Sequence, residues 1–342
     1  MVVEPERMVS IVIPVYASER ILPELVAQVH AVMQQRAWCY EIIFICDQSP
    51  DLSWTVIQQL VKNYQSVRGI LLRMNAGQHN ALMAGLAQAK GQIIVTMDDD
   101  LQHSPKDIPL LIERIEQGYD VAYARFKTRS HPLWKILGSR LNNVVAGYLM
   151  SKPSDLYLSP FRAFKASIRE DILRYRGPYV YVDGLILSVT RHITSVDVDH
   201  HDRYSGSSLY GFRRSLSLWL KMATSFSIVP LRITSFLGLL FAGFGFFFAL
   251  FLIIQRFTVN LTPVGWSSLI VTVLIVGGVQ LLALGMIGEY LGRVLLTINA
   301  RPQYVVAERV GFPTDVHPET LRADRHPTIG TSNSNFKTEN KE

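Results

Sequence analysis

The chain has 342 residues, enough for one large domain or two ordinary ones. Hydrophobic residues make up 49% and charged residues 18%, against about 25% charge in an average soluble domain, so either the core is unusually large or part of the chain lies in lipid. Two cysteines, Cys39 and Cys46, exclude a disulfide framework and fit a reducing compartment, and the net charge of +6 favours an anionic partner: a phosphate, an acidic membrane or nucleic acid.

Met1–Ser10 carries Glu4, Glu6 and Arg7 and no apolar signal core. Val9–Val15 then reads as an apolar, β-branched strand, Leu22–Gln34 as a helix and Glu41–Cys46 as a second strand. A helix over Ser53–Tyr64, a strand over Arg68–Leu72, a helix over Gln78–Ala89 and a strand over Gln92–Met97 follow. Pro105–Gln117 is a helix and Asp120–Ala124 a fifth strand. Strands interleaved with helices at this spacing predict βαβ units and a mostly parallel α/β sheet. In such sheets ligands bind beyond the carboxyl ends of the strands.

Those ends carry Pro14-Val15-Tyr16, Cys46-Asp47-Gln48-Ser49, Asn75-Ala76-Gly77-Gln78-His79 and Asp98-Asp99-Asp100-Leu101-Gln102. Three consecutive aspartates repel one another and call for a counter-charge. A hard divalent cation with oxygen ligands supplies it, and the same ion can hold a diphosphate. Asp98, Asp100 and Gln102 alternate and can share one side of an extended segment. The plainer alternative is a solvated acidic turn before the helix at Pro105. Asp47 likewise reads as an Asx turn, Tyr16 as a packing residue and Gly77 as a turn. No Gly-x-Gly-x-x-Gly follows the first strand and no Gly-Lys-Ser/Thr loop occurs, which excludes dinucleotide and P-loop folds. His200 and His201, adjacent on one strand, point to opposite faces and do not make a zinc site.

Ser207–Pro230 places Phe212, Leu216, Trp219, Leu220, Ala223 and Phe226 at helical spacing, with Arg213, Arg214 and Lys221 on another face. It reads as a helix on the bilayer surface, or as an amphipathic helix on the preceding domain. Ile233–Ile254 and Trp266–Gly288 are uncharged runs of 22 and 23 residues. At about 1.5 Å per residue each helix spans roughly 33 Å, enough to cross a bilayer core; two buried core helices are the alternative. Arg232 precedes the first run and Arg293, Arg301 and Arg309 follow the second, while the joining segment has Arg256 alone. The positive-inside rule puts both flanks in the cytoplasm. The expected organisation is a cytoplasmic domain over 1–206, a juxtamembrane helix over 207–232, spans over 233–254 and 266–288 around an external loop at 255–265, a return segment over 289–312 and a polar, disordered tail over 313–342.

Taken together, Pro14-Val15-Tyr16, Gly77-Gln78-His79, Asp98-x-Asp100-Leu101-Gln102, Phe161-Arg162, Arg203-x-x-Gly206-x-x-x-Tyr210 and Gly288-Glu289-Tyr290-Leu291-Gly292-Arg293 resemble the membrane-anchored polyprenyl-phosphate glycosyltransferases of family 2, over residues 8 to 310. The resemblance implies a GT-A nucleotide-diphospho-sugar transferase fold followed by the interface helix and a two-helix transmembrane hairpin in the inner or plasma membrane. It implies Pro14, Tyr16, Asp47, Gln78, Asp98 and Asp99 at the nucleotide sugar, and Asp98, Asp100 and Gln102 at Mg2+ or Mn2+. Asp100, Arg162 and Arg203 would be catalytic, the two arginines at the acceptor phosphate; surface solvation is the alternative for both. Asp155 and Asp183 are further candidates near the site. The donor-side motifs depart from the usual pattern: Ala17-Ser18 replaces Asn-Glu, Cys46-Asp47-Gln48-Ser49 replaces Asp-Asp-Gly-Ser, Met74 replaces a basic residue and Leu209 a lysine.

The implied activity is that of a hexosyl- or pentosyltransferase. It moves a sugar from a nucleotide-diphosphate donor, expected to be UDP-linked, to undecaprenyl phosphate or a similar polyprenyl phosphate, with inversion. The product would serve cell-envelope glycan or lipid modification, including lipopolysaccharide. The implied partners are donor, acceptor and lipid bilayer, not nucleic acid; a homo-oligomer stays open. The alternatives are a degenerate, non-catalytic membrane scaffold of the same fold and a polysaccharide synthase-like transferase.

Overall fold

The computed structural model describes residues 8–126, 156–177, 179–198, 229–258, 265–299 and 301–313. An eight-stranded sheet runs in the order β7-β5-β6-β4-β1-β2-β3-β8. Its strands are β1 (Met8–Val15), β2 (Cys39–Cys46), β3 (Val67–Leu72), β4 (Ile93–Thr96), β5 (Val121–Phe126), β6 (Arg162–Lys165), β7 (Ile193–Val198) and β8 (Val306–Val310). The pairs β1–β2, β1–β4, β2–β3 and β5–β7 are parallel; β6 and β8 pair antiparallel with their neighbours. The expected α/β, mostly parallel sheet is therefore present.

The central strand explains why. From Val9 to Val15 every residue of β1 is buried, as a strand covered on both faces requires. Ile11 and Ile13 join one core with α1 (Leu22–Gln35) and α2 (Ser53–Asn63), while Val12 joins a second core with α3 (Gln78–Leu86) on the opposite face. That alternation is the two-residue period of a strand. Helices α4 (Ile108–Glu116), α5 (Ala166–Leu173) and α6 (Val182–Val189) complete the layers. Gly85 lets α3 approach closely: a Cβ there would lie 2.5 Å from Val12 Cγ1 and Ile45 Cδ1.

The register aligns the strand ends. Val15 sits opposite Cys46, Val12 opposite Thr96, and Thr96 opposite Arg162. Because β6 is antiparallel, its first residue lies at the carboxyl edge of β4, and Arg162 also faces Tyr123 of β5.

Beyond the sheet, α7 (Val229–Thr258) and α8 (Trp266–Ile298) are long apolar helices. Both outrun the uncharged runs. Helix α8 continues ten residues past Gly288, where Glu289 and Arg293 pair one turn apart at 2.7 Å and support it. Its stretch Ile275–Ile298 is long and apolar enough to cross a membrane; the apolar stretch of α7, Thr234–Phe248, is shorter. Of the return segment expected over 289–312, residues 289–298 continue α8 and Val306–Val310 form β8, paired with the edge strand β3. Of the juxtamembrane helix expected over 207–232, residues 229–232 belong to α7, while 207–228, the polar tail from 314, Asp155, His200, His201 and Arg203 lie outside the described residues.

Candidate active site

A cleft of about 690 Å³ opens at the carboxyl ends of β1, β2 and β4. Pro14, Tyr16, Asp47, Gln78, Asp98, Asp99 and Asp100 all line it, beside Ala17, Ser18, Asn75 and Gly77. Seven expected site residues, scattered over 87 positions of sequence, thus meet in one place because four successive βα turns share one edge of the sheet.

The turns are tied to one another. Asp47 accepts from the backbone N–H groups of Ala76 and Gly77 at 2.7 and 2.8 Å, and its carbonyl accepts from Asn75 Nδ2. Gly77, at φ +86°, is the N-cap of α3 and lines the cleft with Gln78; its conformation suits glycine. Asp51 ties the first turn to the second, accepting from the backbone N–H of Glu19 and from Ser49 Oγ and the backbone N–H of Ser53. Burial raises its carboxyl, but these hydrogen bonds outweigh it and leave Asp51 below the ordinary carboxylate value. Three residues without the licence of glycine hold left-handed backbone here: Ala17 at φ +58°, Gln48 at +50° and Leu101 at +58°. Each sits just past a strand end, where strain is a mark of a functional site.

The three aspartates have distinct surroundings. Asp98 Oδ1 accepts from Gln78 Nε2 at 2.6 Å. Asp99 Oδ2 accepts from Ser18 Oγ at 2.6 Å and from the backbone N–H of Tyr16 at 3.1 Å. Burial pushes the Asp99 carboxyl up to about 6, with Asp100 adding to the rise and the Ser18 and Tyr16 hydrogen bonds opposing it. Asp100 Oδ1 accepts from the backbone N–H of Gln102 at 3.1 Å. Gln102 itself is not among the cleft-lining residues. Among the described residues no three carboxylate, imidazole or thiol groups converge on one point. The donor set nevertheless fits a hard cation: oxygen ligands, excess negative charge and an open cleft that leaves remaining positions to water and diphosphate oxygens.

Arg162 is not solvated on the surface. It is 1% exposed, its guanidinium paired with Asp183 and its Nε donating to Thr96 Oγ1 at 3.2 Å. Tyr123 Oη donates to Asp183 at 2.9 Å, and the Arg162 guanidinium lies 5.8 Å from the Tyr123 ring centre. Burial works against the guanidinium charge, but Asp183 and Tyr123 outweigh it and raise Arg162 above its ordinary range. His79 sits nearby with Nδ1 buried and unpartnered. Burial lowers its pKa, opposed by Asp183 and reinforced by Arg162. Sequence reasoning missed Ser18, Thr96, Tyr123 and His79. Ser18 and His79 carried a signal, each at a strand end and His79 also within Gly77-Gln78-His79.

A family model described as "Glycosyl transferase family 2" matches residues 10–173. Undecaprenyl-phosphate 4-deoxy-4-formamido-L-arabinose transferase of Pseudomonas aeruginosa (strain LESB58) is 34% identical over 321 residues, covering 93% of this chain and 95% of that protein. The protein of the same name from Aeromonas hydrophila subsp. hydrophila is 34% identical and covers 90% of this chain and 95% of its own length. Among solved structures, glucosyl-3-phosphoglycerate synthase from Mycobacterium tuberculosis in complex with Mn2+, UDP and phosphoglyceric acid aligns at a TM-score of 0.48 and 15% identity, over 64% of this chain and 76% of that one; that likeness is too weak to bear on function. Identity of a third across nearly the whole of both chains, with the cleft inside the matched region, decides the matter: the chain belongs to glycosyl transferase family 2.

Proposed function

We propose that the protein transfers a sugar from a nucleotide-diphosphate sugar to a polyprenyl phosphate, undecaprenyl phosphate foremost, at a membrane surface. The observation that carries this is the end-to-end similarity to transferases named for undecaprenyl phosphate. The cleft with Asp98, Asp99 and Asp100 at its rim supports it. In this reading residues 1–206 form the catalytic domain, 207–228 lie along the bilayer, α7 and α8 both span it as a hairpin, and both termini are cytoplasmic.

The donor base lies over Pro14, Tyr16 and Asp47, and Gln78 holds Asp98 toward the diphosphate. Asp98 and Asp100 would hold Mg2+ or Mn2+, which when bound neutralises charge on the leaving diphosphate. Asp99, fastened to Tyr16 and Ser18, fixes the loop that presents its neighbours. The acceptor is already a strong nucleophile: a phosphomonoester, with second pKa near 6, is largely dianionic at neutral pH. No residue is needed to take a proton from it. It needs positioning against the repulsion of the donor. Arg162 and Arg203 are assigned that role. Arg162, 1% exposed, held by Asp183 and not itself lining the cleft, would act on the phosphate by its charge from beneath. Attack from the face opposite the leaving group inverts the anomeric centre.

The test is label transfer in detergent with Mg2+ or Mn2+, undecaprenyl phosphate and a panel of UDP-, GDP- and dTDP-sugars. Sugar label in the lipid phase, lost with chelator and in Asp100→Ala, supports the reading. No lipid label from any donor, beside an active control enzyme, contradicts it.

A further inference from the structure

The chain beyond α8 returns to the catalytic domain, and it does so at particular residues. Strand β8 closes the sheet edge, with Glu308 accepting from Trp54 Nε1 and Gln58 Nε2. Gln303 Nε2 donates to the carbonyls of Tyr175 and Gly177 at 3.2 and 2.9 Å. Near the end of α8, the Arg293 guanidinium lies over the Tyr179 ring, 4.8 Å from its centre. Nε and Nη2 of Arg293 both donate to Glu289 Oε1, at 3.2 and 2.7 Å, one helical turn earlier. The side chain is only 12% exposed, whereas Leu291 and Leu295 beside it are 65% and 58% exposed. Arg293 is therefore a fixed contact between α8 and the domain that carries the cleft, set within an apolar stretch whose other residues stay open as far as Ile298.

The segment held by this contact leads into the site. Tyr175 Oη donates to the Tyr179 carbonyl at 3.0 Å. Tyr181 meets His79 edge-on at 5.1 Å. Asp183 pairs with Arg162, whose Nε reaches Thr96 Oγ1, two residues before Asp98. One continuous set of contacts thus joins the end of the membrane helix to the strand end bearing the carboxylates.

We propose that Arg293 and Tyr179 form a clasp that sets the height and tilt of the cleft over the bilayer. The two are positioning residues, and the proposal rests on the reading that the acceptor is a polyprenyl phosphate held by its tail in the membrane. Such an acceptor presents its phosphate at a depth fixed by the bilayer. A cleft displaced by as little as an ångström from that depth loses much of its rate. A guanidinium over an aromatic face, shielded from water and steered by Glu289, is a contact strong enough to fix one orientation. A soluble acceptor needs no such registration.

The experiment compares two acceptors with Arg293→Gln and Tyr179→Leu: undecaprenyl phosphate in phosphatidylethanolamine–phosphatidylglycerol vesicles, and a short, water-soluble prenyl phosphate. Both variants should raise KM for the vesicle acceptor about tenfold, the scale of one shielded cation–π contact. KM for the donor and kcat/KM for the soluble acceptor should stay within about twofold. Arg293→Lys and Tyr179→Phe, which keep the cation and the ring, should restore the vesicle reaction. An equal fall with both acceptors overturns the proposal in favour of a merely structural contact, as does no change with either. If wild type transfers to neither acceptor, the functional reading fails instead. Tryptic cleavage after the exposed Arg176 in vesicles then decides the clasp alone: it should be several-fold faster in Arg293→Gln, and equal rates overturn it.

Discussion

Arg162 and Asp183 are paired in the interior beneath the cleft, with Arg162 1% exposed and Asp183 also held by Tyr123. Removing Asp183 alone strands a buried guanidinium. Asp183→Leu should therefore cost about 3–5 kcal/mol of stability. Arg162→Met should cost a similar amount, since it strands the carboxylate. The double variant should recover most of the loss, because a buried pair replaced by apolar groups of similar volume is close to neutral. Sugar transfer should remain abolished in the double variant. Denaturant unfolding alongside the transfer assay checks both halves. Recovery of stability together with activity would remove Arg162 from the mechanism.

Gln48 holds φ +50° at the end of β2, at the place where the resembling motif usually has glycine. The structure explains that glycine: the turn needs left-handed backbone. Gln48→Gly should stabilise the protein by about 0.5–1 kcal/mol, the relief of αL strain less the added chain entropy. A higher denaturation midpoint at unchanged slope is the expected result.

Asp51 has a depressed pKa in the fold because its hydrogen bonds with Ser49, Ser53 and Glu19 outweigh burial. A carboxylate lowered on folding adds stability that is fully present above its unfolded value of 3.8 and is lost as pH falls through the lower folded value. Asp51→Asn should thus be less stable than wild type at pH 7. The gap should close as pH drops below about 4. Urea melts across pH 2.5–7 measure it; a constant gap would show that Asp51 acts through packing instead of charge.

Much of this was legible in the sequence. The β-branched runs of β1 and β2 needed only pattern, because a doubly covered parallel strand is apolar at nearly every position, as Val9–Val15 is apart from Ser10. The strand-end rule then located the cleft, and Pro14, Tyr16, Asp47 and the three aspartates line it. Three strands escaped notice, β6, β7 and β8. Strand β6 is four residues long and begins with a buried arginine, which no pattern marks as interior. Strand β8 follows a long apolar helix, where a return loop is the ordinary expectation, and its partner lies more than 230 residues earlier. The burial of Arg162 was invisible for a related reason. Its charge is tolerated only because Asp183 and Thr96 reach it from α6 and β4, and that meeting is tertiary.

The central claim is that the acceptor's own phosphate oxygen attacks the sugar, with no proton to be removed. Mass spectrometry of the lipid product from undecaprenyl phosphate and, separately, from undecaprenol tests it most directly. The account predicts a product heavier by one sugar from undecaprenyl phosphate, with the nucleoside diphosphate released, and no product from undecaprenol. Sugar on undecaprenol, or an unmodified lipid with every donor in the presence of an active control enzyme, would contradict it.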